Sequence, residues 1–321
     1  MSEKDWRVEA VDSGTYASLA DDKVSSVYNT AKYNRINEDK TERVWYLLIY
    51  KGNSLRFSAV FGEDKGIVRN PFSAPFGYPE VIRKDAGVED FYCAFDAMES
   101  FFIDQGVKGV DLYPAPEYFS PNIITTWQNI LLNKGYRVDY SDVNYAFLDL
   151  NELVIDYEKK IFNNARKNLN VSKQNGCEFI ICDSAEQYHV AYEIIKENRK
   201  IRKHPLHMKE EDLNKTIPIV GGEWFLVRSE GEYIASSLVY PVTKDIAQVI
   251  YWGDLPDYAY KRPTNFLSYE LIKYFANKGY KHLDVGISTV EGIANYGLCD
   301  FKESIGCSRT SKLHYSKGVT V

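Results

Sequence analysis

The stretch Phe275-Ala276-Asn277-Lys278-Gly279-Tyr280-Lys281-His282-Leu283-Asp284 echoes an earlier one, Phe102-Ile103-Asp104-Gln105-Gly106-Val107-Lys108-Gly109-Val110-Asp111. Phe, Gly, Lys and Asp recur at matching places, each pair 173 residues apart. In both copies an apolar-periodic run ends at a Gly, which stops a helix, and the residues after it read as a strand. Helix–Gly–strand is common grammar, so this match alone decides little. A second match strengthens it: Trp45 and Gly52 recur as Trp224 and Gly231, 179 residues apart, each framing a hairpin. Two matches in the same order at nearly the same spacing point to a tandem duplication.

Working outward, the chain divides near residue 150, into 1–150 and 151–321. The first half reads as strands over 43–50 and 55–61, an irregular segment over 70–79, a helix over 88–105, a strand over 107–112, a helix over 124–133 and strand material over 137–150. The second half reads as a helix over 155–174, a strand over 177–182, a helix over 185–200, a hairpin over 224–228 and 233–240, a strand over 246–252, a helix over 265–277 and a strand over 282–285. Two α+β units with mixed, largely antiparallel sheets follow.

A length of 321 residues suits two domains. The chain is 45% hydrophobic and 26% charged, which excludes a disordered or collagen-like chain. Its 39 basic and 45 acidic residues leave a net charge of −6, which argues against a nucleic-acid packaging role and against DNA as partner. The acidity lies in the first half; residues 151–321 carry two basic clusters, Lys159, Lys160, Arg166, Lys167 and Lys173, then Lys196, Arg199, Lys200, Arg202 and Lys203. These are read either as solvated helix ends or as an anion site. The charged opening Met1-Ser2-Glu3-Lys4-Asp5-Trp6 shows no apolar leader, and no apolar run reaches the roughly 20 residues that cross a bilayer. The expectation is a cytoplasmic protein with no membrane insertion. Cys93, Cys177, Cys182, Cys299 and Cys307 form no C-x-x-C pair and read as reduced thiols. No metal site is expected: Pro205 separates His204 from His207, and there is no H-E-x-x-H. The 25 tyrosines suit half-wet clefts.

The chain has no P-loop, no G-x-G-x-x-G after its first strand and no G-x-S-x-G. What remains is group transfer without a covalent enzyme intermediate, where the protein orients two substrates and stabilises developing charge.

Four stretches then carry a resemblance. Asn163 to Gly176 is similar to the Arg-bearing helix that opens the second domain of Fem-type proteins. Pro263-Thr264-Asn265-Phe266-Leu267, followed by the helix to Gly279 and Leu283-Asp284-Val285-Gly286, resembles their next signature. Gly292 to Gly306, with the Phe301-Lys302 pair before Gly306, resembles the closing one. Ser73-Ala74-Pro75-Phe76-Gly77 resembles their Pro-Phe-Gly loop. The resemblance implies two tandem GNAT-like acyltransferase domains. No long charged helical pair is present, so the chain resembles the armless type. Fem-type enzymes move an aminoacyl group from aminoacyl-tRNA to an amine of a cell-wall precursor; relatives with the double fold use acyl-CoA. The GNAT pyrophosphate loop Q/R-x-x-G-x-G/A is absent here, as it is in the Fem branch.

On this footing the expected function is N-acyl transfer from an activated donor to an amine, at a cleft involving the second domain. No cofactor is held permanently. Acyl-CoA is the slightly favoured co-substrate, aminoacyl-tRNA the alternative, and the acceptor is a small-molecule or nucleotide-linked amine. A double GNAT scaffold without catalysis is the third reading. The resemblance makes Lys302 the cation beside the tetrahedral oxyanion. Asp284 is the candidate base, although its repeat partner Asp111 favours a structural role. Arg199, with Arg202 as rival, is placed against acceptor phosphates, since a guanidinium fork pairs with phosphate bidentately. Phe301, Tyr240, Tyr251 and Trp252 are substrate-contact candidates. Asn265 is expected to cap its helix, and Tyr33, Asn34 and Arg35 are candidates for lining the first-half cleft.

Overall fold

A computed structural model describes residues 5–319. Met1–Lys4, part of the opening read above as lacking a leader, lies outside them. The first repeat runs β1 (Trp6–Val11), α1 (Ser13–Ala20), α2 (Ala31–Arg35), β2 (Arg43–Lys51), β3 (Ser54–Asp64), β4 (Ile67–Asn70), β5 (Glu80–Val81), α3 (Val88–Asp104), β6 (Gly109–Leu112), α4 (Pro121–Asn133) and β7 (Arg137–Phe147). The second runs α5 (Leu150–Val154), α6 (Tyr157–Lys160), α7 (Asn163–Gln174), β8 (Glu178–Ile181), α8 (Ala185–Ile201), α9 (Glu210–Val220), β9 (Glu223–Ser229), β10 (Glu232–Pro241), β11 (Ile246–Asp254), α10 (Pro263–Asn277) and β12 (His282–Ile287). It closes with the short pair β13 (Thr289–Val290) and β14 (Ile293–Ala294), then α11 (Tyr296–Ser304) and β15 (Ser308–Gly318).

Both repeats use one plan. In the first, β1, β2, β3 and β4 pair antiparallel in turn, and β4 pairs β6 in parallel across helix α3. In the second, β8, β9, β10 and β11 do the same, and β11 pairs β12 in parallel across α10. The register fixes the correspondence. Arg69 stands opposite Asp111, and Gln248 opposite Asp284. Arg69 lies 179 residues before Gln248, the hairpin spacing, whereas Asp111 lies 173 before Asp284. The two spacings differ because the first crossover is six residues longer. The second hairpin turns at Glu230 and Gly231, both at positive φ (54° and 87°), the backbone of a tight hairpin whose twist matches its strands.

The chain forms two compact units, described residues 5–142 with 311–319, and 143–310. The expected division near 150 kept 311–321 with the second half. The structure differs because each repeat gives its closing strand to the other unit: Asn144–Phe147 of β7 pair with β12, and Tyr315–Gly318 of β15 pair with β6. The second unit packs α10 and α7 on one sheet face, around Phe225, Val227, Val249, Leu271, Phe275, Leu283 and Val285. It packs α8 on the other, where Ser236 Oγ donates to the Ala191 carbonyl at 2.7 Å.

Several elements differ from expectation. The helix over 155–174 is broken: Ile161 and Phe162 are extended, Phe162 N–H donates to the Ser304 carbonyl at 3.0 Å, and Ile161 is buried in the core. Asn265 is the third residue of α10 rather than its cap, because Pro263 takes the first position, where a missing N–H costs nothing. Strands β1, β4, β5, β13, β14 and β15 and helices α1, α2, α5, α9 and α11 add to the expected elements. All five cysteines are free thiols. Among the described residues no helix is long and apolar enough to cross a membrane.

Candidate functional site in the second unit

The two units part company where their parallel strands end. In the first, β4 and β6 pair over their whole length, from Ile67 with Gly109 to Asn70 with Leu112. Tyr113 N–H then donates to the Asn70 carbonyl at 3.0 Å, and Gly77 N–H to the Tyr113 carbonyl at 2.9 Å, so the Pro-Phe-Gly loop seals that end. Gly77 is required there: a Cβ would come within 2.7 Å of Asn70 Oδ1. In the second, β11 and β12 pair only over Ile246–Gln248 with His282–Asp284, although β11 runs on to Asp254 and β12 to Ile287. Main chain beyond Gln248 and Asp284 is therefore not joined across the two strands.

Asp284 and Lys302 build the β12 side of this opening. Asp284 is fully buried. Its Oδ1 accepts from Gln248 Nε2 (2.8 Å) and from Gly286 N–H (3.0 Å), and its Oδ2 from Asn144 Nδ2 (2.7 Å). Gly286, at φ 72°, makes the bulge that shifts the β12–β7 register after Asp284. Lys302 is 2% exposed, on α11 rather than on the surface after a strand. Its Nζ donates to the carbonyls of Val285 (2.8 Å), Gly286 (2.9 Å) and Ile287 (3.0 Å). All three ammonium protons are thus spent on backbone, and the group that sequence reasoning aimed at an oxyanion instead holds the end of β12. Burial pushes its pKa down to about 8, against Cys307, Asp284 and Cys299, which pull it up; Arg199 adds to the depression. The Tyr145 ring lies 5.4 Å from Nζ, and its hydroxyl donates to Glu303 at 2.8 Å.

The remaining candidates separate into two sheet faces. Arg199, half-buried on α8, stacks over the buried Tyr251 ring at 5.4 Å, with no carboxylate beside it among the described residues. Burial raises the Tyr251 pKa, while backbone N–H groups of Met208 and His207 and the Arg199 charge pull it down. Tyr240 is buried, in register with Gln248 and so with Asp284, its ring against the Gly222 backbone. Trp252 points the other way, meeting Phe301 edge-on at 6.0 Å in the core. Arg202 is exposed and pairs with Asp254 at 3.3 Å. The structure therefore gathers Lys302, Asp284, Arg199 and Tyr251 at the opening, assigns Trp252 and Phe301 to packing contact, and gives Arg202 a carboxylate. Sequence reasoning missed Gln248 and Asn144, which hold Asp284; the 179-residue spacing from Arg69 was the signal for Gln248.

Of the first-half candidates, Tyr33 and Asn34 serve the fold. Tyr33 donates to the Ser73 carbonyl at 2.7 Å, Asn34 to the carbonyls of Tyr28 and Thr30, and Arg35 is exposed. The basic clusters are largely compensated: Lys159 pairs with Asp156, Lys160 with Glu152, Lys173 with Glu158, Lys196 with Glu193 and Lys200 with Glu197. A face so neutralised is a solvated one.

No family model and no curated protein sequence matches the chain. Solved structures do. FemX superimposes with a TM-score of 0.70 at 11% identity, over 98% of this chain and 97% of that one. The L-PGS structure from Bacillus licheniformis gives 0.61 at 13%, over 96% and 92%. A tandem GNAT protein from the clavulanic acid biosynthesis pathway gives 0.52 at 7%, over 98% and 99%. At such identities the likeness is one of fold, and it extends over both repeats: the chain has the Fem-like tandem GNAT fold.

Proposed function

We propose that the chain is an N-acyltransferase that takes an activated acyl donor, a CoA thioester, where β11 and β12 separate in the second unit. The carrying observation is that pairing stops at Gln248 and Asp284 while both strands continue. Unjoined strand edges accept an extended amide-bearing chain as a further strand. The pantetheine arm of CoA is such a chain. Just beyond the end of β11, α10 begins at Pro263 with no side-chain cap and with Arg262 exposed at its N-cap. An uncapped helix N-terminus favours phosphate, which offsets the missing glycine loop. The compensated basic clusters count against a donor that spreads phosphate charge over a wide surface, as tRNA does.

Arg199, the uncompensated cation over Tyr251, binds an anionic part of donor or acceptor. Lys302 acts as a positioning residue: it fixes the carbonyls of 285–287 and keeps a positive charge beside the opening. In the transfer the amine attacks the thioester carbonyl, the tetrahedral adduct expels the thiolate, and the amine proton leaves to base. Asp284, committed to three donors, belongs to the scaffold, so that base is water or another group.

Thermal denaturation with acetyl-CoA, and separately with charged tRNA, tests the reading. A CoA-dependent rise in Tm that persists in salt, with CoA released when an amine is added, supports it. Stabilisation by charged tRNA alone, falling steeply with salt, moves the donor to aminoacyl-tRNA. Binding without turnover makes the unit a scaffold.

A further inference from the structure

Away from this opening, α8 and α9 carry a cluster that the proposed transfer does not use. His189 and Glu193 lie one turn apart on α8 and so on one face. Glu210 opens α9 and meets them: His189 Nδ1 and Glu210 Oε1 are 2.9 Å apart, and one ligand atom from each of the three residues lies within 4.8 Å of the others. An ion bound at about 2.1 Å by each donor needs them roughly 3.4 Å apart, so donors that now lie within 4.8 Å of one another must draw closer on binding. All three are at least partly exposed, so a fourth position faces water.

We infer that His189, Glu193 and Glu210 bind a zinc-class divalent cation that ties α8 to α9. One imidazole with two carboxylates suits zinc, cobalt or nickel rather than calcium or magnesium, which prefer all-oxygen shells. A competitor is built in. Lys196 Nζ holds both Glu193 oxygens, at 2.7 and 3.1 Å, and must swing away before the ion binds. The ion closes the chain between its ligands into a loop. That loop includes Arg199, and its residues His207 and Met208 act on Tyr251 through their backbone N–H groups. Met208 also accepts from the Tyr192 hydroxyl at 3.5 Å. Metal binding therefore firms the Arg199–Tyr251 wall of the opening. The inference stands on the cluster's own geometry and survives failure of the acyl-transfer reading.

The test is Co2+ titration of chelator-treated full-length protein, read by visible absorption and by protease cleavage over 202–209. Expected results are saturation at micromolar Co2+, a nitrogen–oxygen ligand spectrum, and slower cleavage when loaded. His189→Ala, at an exposed position, should weaken binding about 100-fold or more. Lys196→Met should tighten it about two- to fivefold, the worth of the surface pair it removes. Equal binding by wild type and His189→Ala, a thiolate charge-transfer band, or saturation only at millimolar Co2+ each overturns the site.

Discussion

Lys302 shows how a residue can be marked in sequence while its surroundings stay hidden. The Phe301-Lys302 pair before Gly306 marked it, and its charge suggested an oxyanion partner. Its neighbours Asp300 and Glu303 gave no sign that it is buried. Only α11, laid against the end of β12, delivers its ammonium to three carbonyls. A neutral amine has two N–H groups and cannot serve all three, so the protonated form is the working one. With its pKa pushed down to about 8, turnover should fall as pH rises through that value, and the falling limb should be absent from the residual activity of Lys302→Met. A rising limb would assign the neutral amine a base role instead. Lys302→Met also strands buried carbonyls; a stability loss of about 2–4 kcal/mol in urea denaturation is expected.

At the scale of elements, periodicity found the helices and strands that bury one face, and it failed where the chain bends to satisfy a partner. The helix expected over 155–174 breaks because Ile161 enters the core and Phe162 bonds to Ser304. The end of β12 is likewise set by contact: Gly286 turns to positive φ under the Asp284 carboxylate. A Cβ at Gly286 would meet nothing within 4 Å, so Gly286→Ala carries a backbone cost and no steric one. Left-handed backbone in a non-glycine residue costs roughly 1–2 kcal/mol. Denaturation should show that loss, and acyl transfer should fall with it as the 285–287 carbonyls shift.

At the scale of the whole molecule, two copies of one plan have diverged at one row of residues. Asp111 is part-exposed and pairs with Arg69 at 3.4 Å; its counterpart Asp284 is buried among three hydrogen-bond donors. Asp284→Asn would set an amide N–H against Gln248 Nε2, Gly286 N–H or Asn144 Nδ2 and should cost about 2–3 kcal/mol. Asp111→Asn should cost under about 1 kcal/mol. Equal losses by chemical denaturation would contradict the divergence. A further check compares ligand response: any Tm rise with acetyl-CoA should persist in Asp111→Asn and shrink in Gly286→Ala.

The sequence by itself determined the duplication and the helix–Gly–strand units, Asp284 with them, because these are written in local periodicity and in spacings that survive along the chain; Lys302 and Arg199 were marked only by the resemblance. The tertiary structure alone decided which copy is open at its parallel strands, that the copies exchange closing strands, and that Lys302 is buried. Those depend on pairings between residues far apart in sequence, such as Asn144 with Asp284 and Tyr315 with Leu112, and no local pattern encodes a partner more than a hundred residues away.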